Sequence, residues 1–303
     1  MSDRSNSGVL QLTIRLLLGV FFIGTAVLKL LSIDNFEIYI YSFGLFSYTW
    51  TTFFSRLLIL IELLIGISLI FKIWFKKIWW LTMLMMVGFT MFLIYAAIFR
   101  NDSNCNCFGS FIELNPSQSI IKNIITIALL FFIRNEESHD YRPVLKKWIT
   151  AGIILISLVV SFVLLPMDKI YNKIYSEKEN VNTVAFYKSL NDSTYLEGRY
   201  LINYAIAGCK FCRLGTEKLL LMVEKHDIPH EKVIFIIGGS DEALNVFLEQ
   251  TNTSDYEHYT IPAPKMMSIT FGRFPLYVFL EDGKIVKAGD FRILDDELIM
   301  SLK

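Results

Sequence analysis

The sequence predicts an α-helical membrane bundle, four helices plus a fifth linking helix, followed by a soluble α/β domain. Three observations carry that reading. Hydrophobic residues make up 53% of the 303 positions and charged residues 19%, with a mean hydropathy of +0.46, whereas a soluble domain carries about 25% charge. The charge is also uneven: residues 1–166 hold 22 Asp, Glu, Lys and Arg, and the shorter remainder holds 36. Finally, all four cysteines fall in two tight pairs, one in each half. Net charge is zero and no basic run stands out, so the electrostatic footprint of a nucleic-acid binder is absent. This much apolar surface also excludes a disordered chain.

Five apolar stretches approach the roughly 20 residues that a bilayer helix needs: Val9–Leu31, Thr52–Phe71, Ile78–Phe99, Ser119–Ile133 and Trp148–Leu165. The first is too long for a signal peptide and lacks a small-residue cleavage site, so it is expected to be retained. Lys72, Lys76 and Lys77 follow the second stretch, and Arg134, Arg142, Lys146 and Lys147 follow the fourth. The alternate loops, Ser32–Thr51 and Arg100–Gln118, hold Arg100 alone. The positive-inside rule then makes the N-terminus cytoplasmic, and five crossings leave residues 167–303 outside. Glu62 lies near the middle of the second helix, where an isolated carboxylate is costly, and Arg15 enters from the inner end of the first. The two are expected to pair and to set the register of their helices.

Met167–Asn182 is charged and without core periodicity, and is expected to be a tether. Beyond it strands and helices alternate. Arg199–Ile206 is a strand running into Gly208-Cys209-Lys210-Phe211-Cys212, and Arg213–Lys225 a helix. Val233–Ile237 is a short buried strand, and Asp241–Gln250 a helix with Ser240 as its cap. Leu276–Leu280 and Lys284–Ala288 form a hairpin across an Asp-Gly turn. This β-α-β-α-β-β order, with Cys-x-x-Cys after the first strand, is the thioredoxin arrangement. The expected domains are 1–147 for the membrane bundle, 148–182 for the fifth helix and tether, and 183–303 for the extracytoplasmic α/β module.

Cys-x-x-Cys at a helix N-terminus has a definite use: unpaired amides and the helix dipole stabilise a thiolate on the first cysteine. Cys209 is therefore the expected attacking sulfur and Cys212 the resolving one. A zinc site would need two further ligands from His226, His230 and His258, and Pro229 works against a helix presenting the first two. Pro275, ahead of a strand, fits a cis-proline loop that leaves the Phe274 backbone open to an incoming polypeptide. Cys105-Asn106-Cys107 admits three readings: a labile, oxidising disulfide, a copper(I) site, for which Met83, Met85, Met86, Met91 and Met266-Met267 offer soft partners, or a structural pair. No metal is expected. The target of Cys209 is Cys105 or Cys107, with no choice between them from sequence.

The membrane half resembles the DoxX/MauE family of redox-associated membrane proteins. The resemblance rests on Arg15, Gly19, Phe22, Lys29, Glu62, Gly66, Asn123 and above all Cys105-Asn106-Cys107-Phe108-Gly109. It covers residues 9 to 133 and implies assistance with extracytoplasmic disulfide chemistry, with Gly109, Arg15, Lys29 and Glu62 as structural support. The overall plan is similar to bacterial vitamin K epoxide reductase homologues, which use quinone, although their Cys-x-x-Cys in a membrane helix is missing here. No cysteine lies on the inner side or mid-membrane, so electrons reaching Cys105/Cys107 are expected to leave to quinone. The resulting expectation is a thiol–disulfide oxidoreductase of a bacterial inner membrane with its thioredoxin-like module in the periplasm. Its partners would be cysteine-bearing clients, lipid and quinone, with no nucleic acid. The rivals are an outward-facing thiol reductase or isomerase, and a non-catalytic maturation chaperone with a copper site.

Overall fold

The computed structural model describes residues 2–100, 102, 104–134, 143–175, 181–189 and 197–303. Arg142, and residues 176–180 of the expected tether, lie outside them. The chain divides into two compact units. One consists of Met1–Ile40 with Phe53–Pro166, the other of Tyr41–Thr52 with Met167–Lys303.

The first unit is helical. Its elements are α1 (Ser2–Leu31), α2 (Ile33–Tyr41), α3 (Tyr48–Phe71), α4 (Phe75–Phe99), a short strand β1 (Cys107–Ser110), α5 (Pro116–Phe132) and α6 (Pro143–Leu158). A π-helical turn, Val159–Val163, continues α6. Gly8–Leu31, Tyr48–Phe71 and Phe75–Phe99 are long and apolar enough to cross a bilayer, and Pro116–Phe132 and Lys147–Val163 are shorter apolar helices. Along α4, Leu84, Met91 and Ile98 recur every seven residues and are 71%, 67% and 64% exposed. An apolar stripe of that kind is covered by lipid, and the chain is a multi-pass membrane protein. Helix α2 falls in what the sequence presents as a loop. Its nine residues carry Asp34 and Glu37, too short and too charged for an apolar run. Glu37 is buried and pairs with the buried Arg56 of α3.

Two glycines set the approach of α1 to α3. A Cβ on Gly19 would meet the Gly66 carbonyl at 2.9 Å, and one on Gly66 the Gly19 carbonyl at 2.8 Å, the close backbone contact that small residues permit. This register overturns the expected Arg15–Glu62 pair. With Gly19 level with Gly66, the antiparallel helices place Arg15 beside Leu69 and Ile70, and about 12 Å from Glu62 along the axis at 1.5 Å per residue. The Arg15 guanidinium donates to the Leu69 and Ile70 carbonyls. Glu62 pairs instead with Lys29, Nζ to Oε1, at 2.5 Å.

The second unit is an α/β layer built on a five-stranded mixed sheet of order β4-β3-β2-β5-β6. Its strands are β2 (Arg199–Ile206), β3 (Val233–Gly238), β4 (Glu257–Ile261), β5 (Leu276–Glu281) and β6 (Lys284–Gly289). β2 runs parallel to β3, and β3 to β4, while β5 is antiparallel to both β2 and β6. Helix α8 (Thr183–Ser189) precedes the sheet, α9 (Lys210–Lys225), α10 (Asp241–Thr251) and α11 (Ala263–Thr270) connect the strands, and α12 (Asp296–Met300) ends the fold. β4 and α11 extend the expected order. β4, Glu-His-Tyr-Thr-Ile, is a half-exposed edge strand without the apolar run that marks its neighbours.

The charged stretch after Pro166 begins with a docked helix, α7 (Asp168–Tyr175), where a tether is expected. Asp168 is buried and accepts from the buried Lys218 Nζ at 3.0 Å, and Asn172 donates to the Arg292 carbonyl at 2.7 Å. Asp168 and Asn172 therefore face partners within the unit. Tyr41–Thr52 is also built into this unit. Asp296 accepts from the Tyr41 hydroxyl at 2.7 Å and from the Tyr48 N–H at 2.6 Å, Lys218 Nζ lies 3.7 Å from the Tyr48 ring centre, and Lys225 donates to the Phe46 carbonyl at 2.6 Å.

Candidate active site

The membrane-half pair lies between two well-capped elements. Cys105 N–H donates to the Leu114 carbonyl at 2.8 Å, and Asn106 enters a positive-φ turn whose carbonyl accepts from Gly109 N–H at 3.0 Å. Gly109 itself has φ +64°, and a Cβ there would run into the Ser32 hydroxyl and, at 2.8 Å, the Leu28 carbonyl. Only glycine lets β1 sit against the end of α1 in this way. Ser32 completes the joint, donating to Leu28 and accepting from Ser110 N–H at 3.1 Å. On the other side, α5 opens with a capping box: the Asn115 side chain accepts from Gln118 N–H at 2.8 Å, and the Gln118 side chain accepts from Asn115 N–H at 3.1 Å. That cap fixes the first turn of α5 and, within it, Ser119.

Cys105 and Cys107 are free thiols, and their surroundings differ. Cys105 is 3% exposed, and its Sγ lies 2.9 Å from the Ser119 hydroxyl. A hydrogen bond from Cys107, opposed by burial and aided by Ser119 and the Lys122 charge, holds the Cys105 thiol down at about 6. Cys107 keeps part of its surface accessible. The bond it gives Cys105, together with burial, raises its pKa well above the ordinary thiol range. In the reduced pair, then, these bonds favour the thiolate on Cys105 over one on Cys107.

Both cysteines line a cavity of about 530 Å³, part of it open space, together with Lys29, Glu62, Lys122, Asn123 and a ring of phenylalanines. Three of the four expected supporting residues thus gather around the pair: Lys29 and Glu62 at the cavity and Gly109 at the joint. Arg15 is spent on α3 carbonyls instead. The methionines considered as copper partners are mostly packing. Met83 and Met86 are buried in the helical core and Met266 in the core of the α/β unit.

In the α/β unit, Cys209 is the N-cap of α9 and forms a disulfide with Cys212. Its Sγ also accepts from Cys212 N–H at 3.1 Å. Cys212 is fully buried, whereas Cys209 is partly accessible. The following Phe211 is 53% exposed and stacks on Phe291. The Phe274–Pro275 bond is cis. Because Leu276 pairs with Tyr204 and β2 then runs on to Ile206, Pro275 and the Cys-x-x-Cys turn share one end of the sheet. The histidines have other employment: His226 lies 2.7 Å from Asp296, and His230 stacks on Tyr256.

Ser119 and the aromatic cavity are the features missing from the sequence-derived site. The cap Asn115-Pro116-x-Gln118 was a legible helix start, and would have placed Ser119 one turn inside. Nothing in the sequence marks which phenylalanines converge.

Residues 7–134 match the family model of methylamine utilisation protein MauE, so the membrane half carries a domain of that family. The chain is 34% identical over 182 residues to Protein TlpB of Flavobacterium psychrophilum, an alignment covering 55% of this chain and 47% of that protein. The chain thus spans about half the length of the curated relative it matches. No solved structure matches it.

Proposed function

We propose that this chain is a membrane thiol–disulfide oxidoreductase that moves electrons from client dithiols through Cys209/Cys212 to Cys105/Cys107 and on to quinone, supporting extracytoplasmic disulfide formation. The observation that carries the proposal is the complementary build of the two pairs: a partly exposed N-cap cysteine disulfide-bonded to a buried partner, and two neighbouring free thiols of which Cys105 is buried against Ser119. The α/β unit is taken as thioredoxin-like, supported by its central β3-β2-β5-β6 order, the Cys-x-x-Cys turn and the cis-proline at the same sheet end. Lysine and arginine bias supports a cytoplasmic N-terminus in an inner membrane, with both pairs outside.

The steps balance as follows. A client thiolate attacks Cys209 of the Cys209–Cys212 disulfide, releasing the Cys212 thiolate. The client's second thiol then displaces Cys209 and leaves with the new disulfide. Cys209, acidified at the start of α9, next attacks the oxidised Cys105–Cys107 pair. Attack falls on Cys107, because Cys105, stabilised as a thiolate by its hydrogen bonds, is the better leaving group. Cys212 resolves the Cys209–Cys107 link, leaving the module oxidised and the membrane pair reduced.

Mass spectrometry of two double variants tests this. Cys212→Ala with Cys105→Ala should accumulate a Cys209–Cys107 disulfide under oxidising conditions. Cys212→Ala with Cys107→Ala should accumulate little Cys209–Cys105. Free thiols alone in both folded variants would leave two independent sites and end the relay.

A further inference from the structure

We infer that the cavity beside Cys105 and Cys107 is the binding site of the quinone ring, with Glu62 and Asn123 receiving the hydroxyls of its reduced form. The inference rests on the proposed exit of electrons to quinone and adds where that exchange occurs and which groups hold the ligand.

Two leftover acceptors carry it. Glu62 is 3% exposed, and while its Oε1 takes Lys29, its Oε2 has no hydrogen-bond partner among the described residues. Asn123 is 1% exposed, and its Oδ1 is likewise without a partner among the described residues. Its orientation is fixed by neighbours. The Thr90 hydroxyl donates to the Met86 carbonyl at 2.7 Å, so its oxygen is left to accept from Asn123 Nδ2 at 3.2 Å. Leaving a buried acceptor without a donor is costly, and both residues line the same cavity as the cysteine pair. A ligand bringing two hydroxyl donors on an apolar body recovers that cost.

The remaining lining fits such a body. Phe36, Phe89 and Phe92 present aromatic surface, suited to a flat conjugated ring. Lys29 Nζ lies 5.6 Å from the Phe36 ring centre, and Lys122 Nζ 5.0 Å from that of Phe108. Both ammonium groups can donate to the carbonyl oxygens of the oxidised ligand. Electrons and protons balance. In forming their disulfide the Cys105 thiolate and the Cys107 thiol give up two electrons and one proton; the quinone takes both electrons and that proton, and its second proton comes from water at the open side of the cavity.

The test uses the full chain in lipid nanodiscs, reduced and anaerobic, with decylubiquinone as the probe. Quinol formation gives the kinetics, and a photoreactive azidoquinone analogue maps the site in the unmodified protein. The expected result is label on α4 near Phe89 and Phe92, and an apparent KM about tenfold higher in Asn123→Ala and Glu62→Gln, the size a lost buried hydrogen bond gives. Label confined to other helices would place the site elsewhere, as would normal quinol formation with unchanged KM in both variants. Either result would overturn the inference and leave the oxidoreductase reading standing. A reduced Cys105/Cys107 pair that exchanges with Cys209/Cys212 yet yields no quinol would overturn the quinone reading, and this site with it.

Discussion

The two cysteine pairs are built to opposite plans. In the α/β unit the first cysteine is accessible and caps a helix, while the second is fully buried. In the membrane half the first cysteine is buried against Ser119 and the second is accessible. A pair that must meet varied clients gains from presenting its nucleophile at a helix start. On the proposed relay the membrane pair serves one internal donor, and a stabilised Cys105 thiolate is its leaving group. The difference assigns direction within each pair from burial and hydrogen bonding.

The largest expected effect comes from removing one partner in the membrane pair. Cys107→Ser should cut quinone-dependent reoxidation of Cys209/Cys212 by about a hundredfold or more, measured by alkylation trapping, since no disulfide remains to attack. Next is the buried ion pair: Lys29→Met should destabilise the helical unit by about 3–5 kcal/mol, because the buried Glu62 loses its ion-pair partner. The double variant with Glu62→Met should recover most of it, and denaturant titration would show this. Gly109→Ala should cost about 1–3 kcal/mol, from its left-handed φ and the Ser32 contact, with a matching fall in melting temperature.

A smaller effect separates the two thiols of the membrane pair. With Cys105 held at about 6, its alkylation in the reduced protein should rise through pH 6 and level off by about pH 8, while Cys107 stays slow across that range. Ser119→Ala removes a hydrogen bond to the thiolate and should move the inflection upward. The smallest concerns Asp296. Burial pushes its carboxyl up, but bonds from Tyr48 N–H, His226 and Tyr41 and the Lys225 charge outweigh this and hold it below the ordinary aspartate range. A carboxyl depressed on folding adds stability above its unfolded pKa of about 3.9, and the gain is lost as pH falls through the folded value. Asp296→Asn should therefore lower stability at neutral pH and flatten the acid limb of a thermal-unfolding pH profile.

Much of this was legible in the sequence. Arg199–Ile206 was delimited as a strand from its apolar run and is β2, and the hairpin of β5 and β6 followed from Asp282-Gly283 between two such runs. The place of Cys209 at the start of a helix followed from the Cys-x-x-Cys spacing after a strand, whereas Cys105-Asn106-Cys107 left three readings open. The Lys29–Glu62 pair did not, because it depends on how Gly19 and Gly66 set two helices in register, and a single helix carries no record of its neighbour's depth. β4 and α2 escaped for a related reason: each is short and mixed in polarity, and takes its shape from the partners it meets.

The clasp on Asp296 has a consequence for biosynthesis. Tyr41 and Asp296 are 255 residues apart, and at about 5–20 residues per second the ribosome needs roughly 13–50 s to travel between them. The Tyr41–Thr52 segment must wait that long, with α4, α5 and α6 made in the meantime, before its acceptor exists. The second unit therefore closes after translation of its last helix, and a fragment starting at residue 167 would leave Asp296 without two of its donors.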